Sequence, residues 1–129
     1  MVDHPSDLRT PLGRVRFLGP GRTGTTDAWL VHLTSVALIP LTVGFVWLVL
    51  DLLRKDYNGV RAELARPIPA ILLLAFILAG IVHMELGARS IIVDYIGGQS
   101  RAWALAANTL FAALLALACV YATLRTAFT

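Results

Sequence analysis

The chain has 129 residues, of which 57% are hydrophobic and only 15% charged, and a formal net charge of +3. Soluble domains carry about 25% charged residues, so this composition, with a mean hydropathy of +0.74, excludes a water-soluble globular protein and specifies an integral membrane one. The isoelectric point of about 9.6 does not point to nucleic acid, because the basic residues are spread over tails and turns without aromatic interleaving.

Residues 1–27 lack the apolar run of a secretory signal and carry Asp3, Asp7, Arg9, Arg14, Arg16 and Arg22, so they read as a polar aqueous tail. Residues 28–129 read as a three-span membrane domain. Thr25, Thr26 and Asp27 offer side-chain oxygens to open the first helix, and Trp29 suits the headgroup level. Span one covers about residues 29–53, with His32, Thr34 and Ser35 as a polar patch in its first two turns and Pro40 predicting a kink. Arg54, Lys55, Asp56, Asn58 and Gly59 predict an aqueous turn, and Pro67 and Pro69 fit the first turn of the next helix.

Span two covers about residues 68–95 and is stopped by Gly97 and Gly98. Ser100 then caps span three, about residues 102–125, whose many alanines suit close packing in lipid and whose Asn108 is expected to bond across helices. Cys119, the single cysteine, excludes an intrachain disulfide and reads as a packing residue. Each span meets the roughly 20 residues needed to cross about 30 Å of hydrocarbon, giving an all-α chain of three transmembrane helices. Three helices bury little among themselves, so partner chains or a cofactor are expected to complete a helical bundle. Basic residues do not set the orientation: Arg9, Arg14, Arg16, Arg22 and Arg101 on one side balance Arg54, Lys55, Arg61, Arg66 and Arg125 on the other.

Ionisable groups inside a bilayer are costly and are usually retained for a task. His83 lies in the middle of span two, and at 3.6 residues per turn His83, Gly87, Ser90 and Asp94 share one helix face. A neutral imidazole at that depth can be a haem iron ligand, a proton relay or an interhelix hydrogen bond, and spacing alone leaves all three open. Gly87 suits the first, because a flat macrocycle against a helix needs a position without a side chain about one turn from its ligand. Phe76, Ala79 and Gly80 continue that stripe as an apolar wall. Glu85 and Arg89 project to the opposite side and read as an i,i+4 ion pair. Asp94 and Tyr95 reach the membrane-water boundary, where a tyrosine is either a belt residue or, beside a carboxylate, a donor to a quinone carbonyl.

The run His83-Met84-Glu85-Leu86-Gly87, with Asp94-Tyr95 at the end of the same helix, resembles the core motif of the D-type membrane anchor of succinate dehydrogenase. The approach to span one, from Gly21 to Trp29 and on through Thr34-Ser35-Val36-Ala37 to Pro40, is similar to alpha-proteobacterial and mitochondrial-type anchors. The resemblance covers roughly Gly21 to Tyr95. It implies that His83 is one axial ligand of a haem b whose other ligand comes from a C-type cytochrome b anchor. It also implies that Gly87 packs on the haem, that Tyr95 hydrogen-bonds the ubiquinone head and that Asp94 helps arrange that site. Where many relatives carry arginine near the start of span one, this chain has His32, which could serve a haem propionate or the quinone site but lacks arginine's permanent charge and fork.

The same resemblance implies partnership with the iron-sulfur and flavoprotein subunits, which carry out succinate oxidation, and residence in a bacterial inner membrane among its lipids. A quinone reduced by a peripheral iron-sulfur subunit would put the Asp94-Tyr95 end, and with it the N-terminus, on the cytoplasmic side. Rival readings are the anchor of a fumarate reductase, a cofactor-free membrane tether, and a small transport or proton-conducting subunit.

Overall fold

The computed structural model describes residues 22–128; residues 1–21, which hold most of the expected polar tail, and Thr129 lie outside the described residues. Four helices follow one another: α1 (Arg22–Leu52), α2 (Tyr57–Leu64), α3 (Pro67–Tyr95) and α4 (Gly98–Phe128). Three segments are long and apolar enough to cross a membrane, namely Thr25–Leu52, Pro67–Tyr95 and Gly98–Phe128. At about 1.5 Å per residue, the 28 residues of the first reach about 42 Å, beyond the roughly 30 Å of hydrocarbon. Each long helix therefore extends into the headgroup layer.

Two boundaries depart from the sequence expectation. α1 already begins at Arg22, so Thr25, Thr26 and Asp27 lie within its opening turns rather than ahead of them, and the Asp27 carboxylate is 3.9 Å from Arg89 of α3. α4 begins at Gly98, whose φ of +64° is a left-handed conformation that glycine adopts without a Cβ penalty. Ser100 consequently donates its hydroxyl to the Gly97 carbonyl at 2.7 Å instead of accepting from the helix start. Arg101 closes the same corner, donating from Nε to the Ile96 carbonyl at 2.7 Å.

The expected aqueous turn after span one contains a helix. The Asp56 carboxylate accepts from the Gly59 amide at 3.0 Å and caps α2, a stabilisation of about 1 kcal/mol for such an N-cap. Lys55 fastens this segment to its surroundings, 2.5 Å from Asp51 at the end of α1 and 2.7 Å from Glu63 in α2, while Arg66 reaches Glu63 at 3.3 Å. The hydrogen bond from Lys55 holds the Glu63 carboxyl below its ordinary value of 4.5, and the bonds to Asp51 and Glu63 hold Lys55 above 10.5. A depressed carboxyl stabilises above its ordinary pKa and loses that contribution as pH falls through the depressed one. A raised lysine stabilises below its ordinary pKa and loses the contribution as pH rises through the raised one. Hydrogen-exchange protection of the α2 amides should therefore stay level between these limits and fall below pH 4.5. The change should be small, as for other solvent-screened pairs. Protection maintained down to pH 3 would show that the Asp56 cap and apolar contacts alone hold α2.

The three long helices stand in an open row with α3 in the middle. α3 packs along both α1 and α4, whereas α1 and α4 do not approach each other among the described residues. Phe45 and Phe76 stack across the α1–α3 contact with centroids 4.3 Å apart, and a Cβ on Gly44 would come within 2.9 Å of Leu72. The buried apolar residues are few, comprising Leu48, Ile81, Leu86 and Ala112 among the described residues. Large apolar side chains instead face outward along every span, for example Trp47, Ile71 and Leu117. This is the surface of a chain solvated by lipid and by neighbouring proteins.

Candidate functional site

His83 stands on α3 close to its midpoint, half-buried against α1. Its Nδ1 lies 3.0 Å from the hydroxyl of Thr34, a residue 49 positions earlier in the chain. That hydroxyl is also 2.8 Å from the Leu30 carbonyl and 3.0 Å from the Val31 carbonyl, one turn back on its own helix. A threonine hydroxyl has one proton. Shared between the two carbonyls, that proton leaves an oxygen lone pair to accept Nδ1–H from the imidazole. A neutral ring protonated at Nδ1 carries its lone pair on Nε2, and Nε2 makes no hydrogen bond among the described residues. Metal-ligating histidines characteristically donate their other ring nitrogen to an acceptor that fixes tautomer and orientation. The Thr34 hydroxyl is placed to take that acceptor role toward His83.

One turn along, a Cβ built on Gly87 meets no atom within 4 Å, and the same is true at Gly80. Both glycines therefore border open space within this chain, as a planar group or a neighbouring helix requires. Phe76, expected from the sequence as part of an apolar wall, stacks its ring on Phe45 of α1.

Toward the end of the row that holds Tyr95, α1 and α3 part to form a cleft of about 410 Å³. Asp27, His32, Arg89, Ser90 and Asp94 contribute its polar lining. His32 is exposed and its Nδ1 is 2.7 Å from the Ala28 carbonyl, so its own helix orients the ring. Asp94 thus joins His32, while Tyr95, the next residue but about 100° further round the helix, is 85% exposed and does not line this cleft. The predicted residues divide between two places: His83 and Gly87 at mid-height, and His32, Asp94 and Tyr95 at the boundary.

On the other side of α3, Glu85 gathers donors from two helices. Arg89 reaches its Oε1 at 2.8 Å, as the i,i+4 spacing predicts, and Thr109 of α4 reaches it at 3.1 Å. Asn108 donates to the Glu85 backbone carbonyl at 3.0 Å, which meets its expected interhelix role. With Arg89 near Asp27, one polar network links all three spans. Sequence reading missed Thr34 as the partner of His83 and Thr109 as a donor to Glu85. Thr34 was visible as part of the polar patch in α1, although its partner was not.

Comparison with known proteins identifies the family. Residues 6–122 match the model of the family described as succinate dehydrogenase/fumarate reductase transmembrane subunit. The chain is also 32% identical over 116 residues to the succinate dehydrogenase hydrophobic membrane anchor subunit of Paracoccus denitrificans, covering 90% of each. A multi-pass helical chain that matches a family model over nearly its whole length, and a curated relative over nine-tenths of both sequences, belongs to the succinate dehydrogenase/fumarate reductase transmembrane subunit family.

Proposed function

We propose that this chain is the D-type anchor of a succinate:ubiquinone oxidoreductase in a bacterial inner membrane, with its N-terminus in the cytoplasm. Together with a C-type cytochrome b anchor it holds the iron-sulfur and flavoprotein subunits on the membrane, and those subunits oxidise succinate. The observation that carries the reading is the 3.0 Å contact between His83 Nδ1 and the Thr34 hydroxyl near the middle of α3, with no hydrogen bond at Nε2 among the described residues. His83 offers Nε2 as one axial ligand of haem b, and the open space beside Gly87 admits the face of a macrocycle. A bound haem b supplies a one-electron carrier whose potential is set by its ligands and their hydrogen bonds. Near the boundary, Asp94 and His32 share a cleft, and the exposed Tyr95 phenol is available to a quinone head whose tail stays in lipid.

Purification of the tagged chain from its own membranes in mild detergent tests this reading. The expected result is co-isolation of a flavoprotein, an iron-sulfur protein and a second anchor, together with the Soret and α bands of haem b. Isolation without those subunits overturns the assignment, and the full set of subunits without haem overturns the ligand role of His83.

Gly87→Leu is expected to lower the haem content of the assembled complex while leaving the subunit in the membrane. Within this chain the position has room for a side chain, so a loss of haem reports on something that lies outside it. Full haem occupancy in the variant would assign Gly87 to helix packing alone.

A further inference from the structure

α1 is held differently on the two sides of Pro40. After it, Phe45 stacks on Phe76, Leu48 is buried, and Gly44 brings the backbone so close to α3 that a Cβ would stand 2.9 Å from Leu72. Before it, residues 25–39 include no buried one, and the cleft of about 410 Å³ lined by Val31, His32 and Arg89 parts α1 from α3. Thr34 reaches His83 there at 3.0 Å, while Asp27 stands 3.9 Å from Arg89, beyond hydrogen-bonding distance. Pro40 has no amide proton for the Val36 carbonyl one turn back, so the backbone ladder is interrupted where the two halves meet. Hydroxyls also compete for carbonyls on both sides of it. Ser35 donates to the Val31 carbonyl at 2.8 Å and Thr42 to the Leu38 carbonyl at 2.6 Å, a form of back-bonding that bends helices.

We propose that the first half of α1, residues 22–39, is a lid hinged at Pro40 that closes the cleft over a bound ligand, while residues 41–52 stay clamped to α3. Asp27 lies about 20 Å along the helix from Pro40, so a rotation of about 3° there carries it about 1 Å. That is enough to bring its carboxylate into hydrogen-bonding distance of Arg89. Thr34 is about 9 Å from the hinge and moves about half as far, so the lid works without parting the Thr34–His83 pair. Glu85 steadies the other side of the latch, accepting from Arg89 at 2.8 Å on the clamped helix. The identity of the ligand as a quinone head rests on the function proposed above, whereas the hinge rests on α1 and its packing alone.

Pulsed electron-spin distance measurements on the protein purified with its partner subunits test the proposal. Labels attached to azidophenylalanine at Thr25 and Ala102, both exposed at the Tyr95 end, report on the lid, and labels at the exposed Val46 and Leu117 report on the clamped half. The Thr25–Ala102 distances should be more widely spread than the Val46–Leu117 distances. Saturating decylubiquinone should narrow the first set and shorten it by about 1 Å or more, the movement that closes the Asp27–Arg89 gap, and leave the second unchanged. Pro40→Ala restores the missing amide, so it should narrow the Thr25–Ala102 spread without ligand and remove the response to it. Equal spreads for the two pairs, or a spread unaltered by Pro40→Ala, overturns the hinge. Should Pro40→Ala fail to assemble, the response of the unaltered protein decides, and an unmoved Thr25–Ala102 distance in a complex that reduces decylubiquinone overturns the lid. A complex that reduces no quinone refutes the proposed function instead, and the spreads of the two pairs still decide the hinge.

Discussion

Replacing His83 with alanine is expected to abolish the low-spin haem b spectrum of the assembled complex. The substitution removes the Nε2 lone pair that the Thr34 contact leaves available, and water or a vacant coordination position is a weaker-field substitute. Thr34→Val should give a graded version of the same result. The ligand remains, but its Nδ1–H loses its acceptor, and loss of such an outer partner typically lowers metal affinity about 10–100-fold. Haem content should therefore fall in the order parent, Thr34→Val, His83→Ala, and the midpoint potential of Thr34→Val should differ from the parent's because the imidazole becomes a less basic ligand. An unchanged spectrum and potential in His83→Ala would sink the assignment once magnetic resonance has ruled out a replacement ligand. An unchanged Thr34→Val, with haem lost in His83→Ala, would reduce the threonine to a helix contact.

Tyr95→Phe is expected to cut succinate–quinone activity several-fold or more, while succinate oxidation with an artificial acceptor at the peripheral subunits survives. A neutral hydrogen bond is worth about 1 kcal/mol net, and a quinone carbonyl left buried without its donor costs about 1–3 kcal/mol. At about 1.4 kcal/mol per factor of ten, these figures bracket losses from about fivefold to about a hundredfold. The phenol is 85% exposed in this chain alone, so its removal leaves internal packing intact and the loss can be read as a binding effect. Quinone reduction equal to the parent at both limiting and saturating quinone would make Tyr95 an interfacial belt residue and place the quinone site on other subunits.

The spans were legible because lipid imposes a length on every apolar run, and the three runs in the sequence meet it. Boundaries were less so. Asp56 reads equally well in a turn and as an N-cap, and α2 offers too few residues for periodicity to decide between them. Likewise Thr25, Thr26 and Asp27 look like a helix start, yet the backbone coils from Arg22 and Asp27 turns to Arg89. At the site, the cost of an ionisable group in hydrocarbon drew attention to His83, and the i,i+4 spacing paired Glu85 with Arg89. The Thr34 partner could not be found this way. Periodicity assigns a residue to a face, but it does not say which residue 49 positions away will stand opposite. Phe76 shows the same limit, since its face was readable but its stacking partner Phe45 was not.

The row of helices has a bearing on how the chain is made. Because α1 meets α3 and α3 meets α4 while the outer two stay apart, each transmembrane contact joins neighbours in the order of synthesis. The pairing of the first two spans thus requires no contact from the third. Such local closure requires little loop entropy and no rearrangement of earlier spans. Truncation after Tyr95 should accordingly leave a helical hairpin that keeps the Thr34–His83 contact, so the two helices that carry this pair need nothing from α4 to bring it together.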